Sequence, residues 1–108
     1  MIDTEKLIRP ACCTLAIQGQ EQIRLVNMFK AIGNEKRFEI MKFMLTHPYC
    51  ITGDIVDYLP LAQSTVSQHL KVLREAGWIT GTIAGPATSY CLHDENIQWF
   101  REKVGDIF

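Results

Sequence analysis

Apolar residues recur at helical spacing along most of the chain, and Gly, Pro and Asn residues cut that pattern into short elements. Residues 1–18 hold no sustained period, Pro10 interrupts them, and they read as an N-terminal arm. From about Gln20 to Ile32, the positions Ile23, Val26, Phe29 and Ile32 predict a first helix, stopped by Gly33. Asn34 is a suitable N-cap for a second helix over about Glu35 to Leu45. Phe38, Met41 and Leu45 share one face of it, with Ile40 and Met44 beside them, and Pro48 ends it. A short third helix covers about Thr52 to Leu59 before Pro60 breaks the chain. Residues 63–76 give the clearest signal: Val66, Leu70 and Leu73 at i, i+4 and i+7, with Gly77 closing the end. Two strand-like runs follow, near Trp78–Ile83 and Thr88–Leu92, around the tip Ala84-Gly85-Pro86-Ala87. Asp94 can cap a last helix carrying Ile97, Phe100, Val104 and Ile107 on one stripe.

A short helix, a brief turn, a longer helix and a β-hairpin in that order predict a mainly α fold with a small β-hairpin wing. This is the plan of a winged helix-turn-helix over residues 19–108, preceded by the arm. The polar face of the 63–76 helix holds Gln63, Ser64, Thr65, Ser67, Gln68 and His69. Neutral amides and hydroxyls match the donor and acceptor pattern of base edges in a major groove about 12 Å wide, and Gln pairs bidentately with adenine. A solvated surface helix has a polar face too, so pattern alone leaves both readings open.

Charge sharpens the picture locally. The 108-residue chain has a formal net charge of −1, so it is no polycation. Between Tyr58 and His93, however, the only acid is Glu75, set against Lys71 and Arg74, which are placed to reach a phosphate backbone. Hydrophobic content of 47% and charged content of 21% suit a soluble globular domain and argue against disorder. No unbroken apolar run exceeds the five residues from Tyr58 to Ala62, which argues against a membrane span. Asp3 and Glu5 at the start, without an apolar stretch, argue against a secretory signal, so a cytoplasmic location is expected.

The run LPLAQSTVSQHLKVLREAGWI (Leu59 to Ile79) resembles the recognition-helix segment of the arsenical-resistance repressor (ArsR/SmtB) family. FKAIGNEKRFEIMKFM (Phe29 to Met44) resembles that family's second-helix start, and the likeness extends over about residues 22–100. It implies a homodimeric winged-helix repressor that binds double-stranded operator DNA and releases it when an inducer occupies a separate site. Dimerisation also has a physical basis. Leu25, Val26, Phe29, Trp99, Phe100, Val104, Ile107 and Phe108 put much apolar surface on the first and last helices. A two-fold dimer would bury that surface and set two reading helices about one DNA turn (~34 Å) apart. The alternative is that both stripes pack within one subunit. The family's wings often carry Arg or Lys at the tip; here the tip is uncharged, so less electrostatic contribution is expected from the wing. Backbone N–H groups, Thr82 and Thr88 remain as phosphate contacts there.

Four cysteines are present: Cys12, Cys13, Cys50 and Cys91, with no CxxC pair. The family's Cys-x-Cys sensor is incomplete, since Cys50 is followed two residues on by Thr52. Its C-terminal zinc site is not matched either: Asp94-Glu95-Asn96 has no His, and neither has the rest of the last helix. Cys12 to Ala16 reads CCTLA, as in some arsenic-responsive members, which combine such a pair with one thiol further on. The resemblance thus implies a three-thiol site from Cys12, Cys13 and Cys50 for As(III) or Sb(III), soft ions suited to thiolates. Other readings stand beside it. Two of these thiols could form a redox or persulfide switch, or the cysteines could be inert, Cys50 as a small buried hydrophobe and Cys91 as a strand residue. His47, His69 and His93 are isolated, and His69 reads as a DNA-facing or helix-surface residue. No Ser/His/Asp, Cys/His or paired-carboxylate set stands out, so an enzyme is not expected. From a different class, a winged helix serving as a protein-interaction module without an operator remains an alternative.

Overall fold

The computed structural model describes residues 17–84 and 87–108. The order is α1 (Gly19–Ile32), α2 (Glu35–Thr46), α3 (Thr52–Tyr58), α4 (Gln63–Ala76), β1 (Ile79–Ala84), β2 (Ala87–Leu92) and α5 (Asp94–Ile107). This is the expected helical domain with one antiparallel hairpin. None of the described helices is long and apolar enough to cross a membrane.

Local chemistry sets most boundaries. The Asn34 side chain accepts from the Arg37 N–H at 3.1 Å, so α2 starts on the expected cap. Asp54 accepts the Ile51 N–H at 2.9 Å and holds the entry to α3. At α5 the expectation is corrected. His93, not Asp94, is the cap: its Nδ1 accepts the Asn96 N–H at 3.3 Å. Asp94 and Glu95 fall in the first turn, where negative charge complements the helix dipole.

The core gathers Met28, Ile40, Met44, Ile55, Val66, Leu70, Leu73 and Ile79, all essentially without solvent contact. Two helices turn differently from expectation. In α1 the buried residues are Leu25, Met28 and Ala31, while Ile23, Val26 and Phe29 are exposed. In α2 the buried set is Ile40, Met41, Phe43 and Met44, while Phe38 is 50% and Leu45 69% exposed. Both helices carry apolar residues around more than one face, so period alone does not choose the inner one. Contact with α4 does, since α1 and α2 both pack against it.

The end of α4 locks these parts together. Gly77 sits at φ 97°, a left-handed backbone that favours glycine. The Gly77 N–H donates to Arg74 O (3.1 Å) and the Trp78 N–H to Leu73 O (2.9 Å), the paired bonds of a Schellman closure. Trp78 is buried, donates its indole N–H to Met28 O at 2.8 Å and packs against the Phe100 ring. Its own carbonyl accepts the His93 N–H at 3.0 Å. A Cβ at Gly77 would lie 3.0 Å from Asn96 Nδ2, the amide that donates to Gly77 O. Gly77→Ala is therefore expected to cost at least about 1–2 kcal/mol, read as a lower urea midpoint with an unchanged slope.

Candidate nucleic-acid interface

α3 ends at Leu59, whose N–H still reaches Ile55 O at 2.8 Å, and Pro60 prevents the helix continuing. After that short turn α4 starts at Gln63, with Val66, Leu70 and Leu73 turned into the core. That burial orients the opposite face outward. Gln63, Ser64, Thr65, Ser67, Gln68, Lys71 and Arg74 are all exposed, as the sequence predicts. The first turn of α4 has no side-chain cap and no acidic residue. Its leading N–H groups therefore have no intrahelical acceptor and present partial positive charge.

This helix start opens onto a cleft of about 300 Å³ lined by Ile51, Thr52, Gly53, Gln63, Ala87, Thr88 and Tyr90. Three elements meet there: the start of α3, the start of α4 and the β2 strand of the hairpin. The wing is held in place by the Tyr90 N–H, which donates to Cys50 O at 2.7 Å. A convex helix with free amides and hydroxyls, beside a polar cleft and a projecting hairpin, can lie in a groove and straddle a phosphate strand.

His69 stands apart from the other expected reading residues. It is half-buried, and Arg37 Nη1 lies 3.3 Å from its Nδ1. The guanidinium can only donate, so Nδ1 accepts and the neutral ring carries its proton on Nε2. Arg37 Nε also donates to Ala31 O. Arg37 thus fastens the ends of α1 and α2 to the middle of α4, a positioning role the sequence did not reveal because the contact joins residues 32 apart. Desolvation, and then the Arg37 charge, hold the His69 imidazole below its ordinary value.

The thiols are placed unevenly. Cys50 is buried, its Sγ directed to Tyr90 O at 3.9 Å, and burial, then the Asp54 charge, push its thiol up. Cys91 is half-buried with Sγ 3.4 Å from Thr80 Oγ1. Cys12 and Cys13 lie outside the described residues. Among the described residues, no three His, Cys, Asp or Glu side chains are grouped to hold a metal ion.

A family model described as "Bacterial regulatory protein, arsR family" matches residues 34–80, from the α2 cap through the end of α4 into β1. The arsenical resistance operon repressor of Bacillus subtilis is 35% identical over 69 residues, spanning 64% of this chain and 66% of that protein. The uncharacterized HTH-type transcriptional regulator YbzH of the same organism is 32% identical over 87 residues, spanning 67% of this chain and 86% of that one. The solved structure of HlyU from Vibrio cholerae superposes with a TM-score of 0.67 at 25% identity, covering 84% of this chain and 98% of that chain.

The His69 environment makes a prediction. Its folded-state pKa is lowered, so as pH falls through 6.5 the unfolded chain takes up a proton that the folded one resists. Stability is then lost on acidification, and His69→Gln is expected to flatten that slope in urea titrations at pH 5.5 to 7.5.

Proposed function

This chain belongs to the arsR family of bacterial regulatory proteins, and we infer that it acts as a DNA-binding transcriptional regulator and not as an enzyme. We propose that it is a homodimeric repressor of a metalloid-resistance operon, released from its operator when As(III) or Sb(III) fills a three-thiol site. The observation that carries the operator reading is the division of α4 into a buried apolar side and an exposed side of Gln63, Ser64, Ser67 and Gln68. Lys71 and Arg74 supply the backbone contacts, and the low charge of this surface puts more of the affinity into base contacts.

The dimer is supported by apolar surface that one subunit leaves wet. No residue of α5 is buried, and Phe108 is 89% exposed. Ile17, Val26, Phe29, Ile107 and Phe108 frame an apolar hollow of about 270 Å³ between the start of α1 and the end of α5. A second copy joined through first and last helices would fill it.

The inducer reading rests on the CCTLA run at Cys12 to Ala16, on Cys50 near the helix pair, and on similarity to an arsenical resistance repressor. Ligation by Cys50 would reach its target next to the strand bridge that holds the wing, so binding there would be felt by the wing and α3 together. Arsenite is expected to release operator DNA from the wild-type chain and to leave the Cys12→Ser complex intact. Anisotropy titration checks this. Release by peroxide or a persulfide donor, with arsenite inert, would instead favour a redox switch. DNA contacts divide in a second measurement. Gln68→Ala is expected to cost ~1–3 kcal/mol on the operator but little on random DNA. Lys71→Ala is expected to weaken both alike and lower the salt slope by about one.

A further inference from the structure

The hairpin carries an apolar side chain on the same side as the proposed DNA surface. Strand register pairs Ile79 with Leu92, Gly81 with Tyr90 and Ile83 with Thr88, so these residues share one face of the wing. That face is identified by what it touches. Tyr90 is buried, and Thr88 and Tyr90 line the cleft that also holds Gln63, the first residue of α4. Gly81 leaves room for this. A Cβ there would lie 3.1 Å from Thr88 Cγ2 and 3.3 Å from the Tyr90 ring, so both side chains lean over it. Ile83 lies one pair further out on this face and is 81% exposed. A single exposed isoleucine needs no explanation by itself. This one pairs with Thr88, which lines the cleft at the start of α4, on a hairpin where no residue from Gly77 to Leu92 carries a carboxylate, ammonium or guanidinium.

We propose that Ile83 is a specificity-determining contact, an apolar wedge set against the minor groove that flanks the major-groove site of α4. The inference rests on the DNA-reading assignment above. Its physical content is a choice of flanking sequence. A cationic wing is drawn to the narrow, strongly negative minor groove of A-tracts. An uncharged wing gains nothing from that potential. A branched aliphatic side chain instead gains by leaving water against sugar and base surfaces, most easily where the groove widens or a step unstacks. Pyrimidine–purine steps such as TA and CA deform in this way at least cost. Ile83 therefore favours those steps over A-tracts in the flank, without adding to the salt dependence, and Thr88 beside it offers a hydroxyl to the adjoining phosphate.

The test uses the full-length chain and duplexes enriched from a random pool by the wild type, with the flank changed to TA- or CA-rich steps or to an A-tract. The Ile83→Ser variant is expected to melt like the wild type, because the side chain lies outside the core. It should bind the TA- and CA-flanked duplexes ~3–10-fold more weakly, with the same salt slope, and the A-tract duplex nearly as well as wild type. Ile83→Arg should steepen the salt slope by about one and move the preference to the A-tract. Equal affinity of Ile83→Ser and wild type on every flank would overturn the wedge, as would an equal loss on every flank. A wild-type chain that enriches no sequence from the pool would overturn the DNA-reading assignment beneath it, an outcome distinct from either of those.

Discussion

The turn at Gly77–Trp78 is the constraint on which the arrangement of the other elements depends. It ends α4 with two backbone bonds, then directs the chain straight into the wing. In the same step it sends an indole into the core, where its N–H meets a carbonyl of α1 and its ring meets α5. Asn96 adds a second tie, donating to Gly77 O and accepting from Arg24 Nη2 at 2.8 Å. Arg24 in turn lies over the Trp99 ring. These contacts tie α4, the hairpin and the two end helices to one another. A change in how α1 and α5 pack, as in a dimer that alters its geometry, would reach α4 through this turn.

The proposed DNA surface relies little on charge. Lys71 and Arg74 lie on the outer side of α4, and the wing bears no charged side chain. Counterion release scales with the number of phosphates neutralised, so such a surface gains less non-specific affinity than a strongly basic one. Discrimination then depends on amides, hydroxyls and shape, which demand accurate placement of α4. The Arg37 contact to His69 and the buried row Val66, Leu70 and Leu73 meet that demand from the inner side of the helix.

The cysteines illustrate how environment divides one residue type into different roles. Cys50 lies within the core cluster, beside the backbone bridge to Tyr90, and its raised thiol pKa keeps it protonated and slow to react. A soft ion would have to displace that proton, so the proposed ligation at Cys50 would carry a proton release and a local rearrangement. Such a coupling between ligation and the packing around α3 and the wing would serve the proposed release from DNA.

The order of elements, the caps at Asn34 and Gly77 and the apolar side of α4 were all legible in the chain, because each depends on residues within one or two turns of each other. The exposed polar face of α4 followed from the same periodicity, since burying Val66, Leu70 and Leu73 leaves no other side for Gln63, Ser67 and Gln68. The inner faces of α1 and α2 were not legible. Both helices are apolar on more than one side, and only packing against α4 selected Leu25 and Met28 over Val26 and Phe29, and Ile40 and Met44 over Phe38 and Leu45. Tertiary structure alone also drew His69 toward Arg37 and turned Ile83 to the cleft side of the hairpin. Those placements depend on contacts between distant segments and on strand register, which spacing along one chain does not encode.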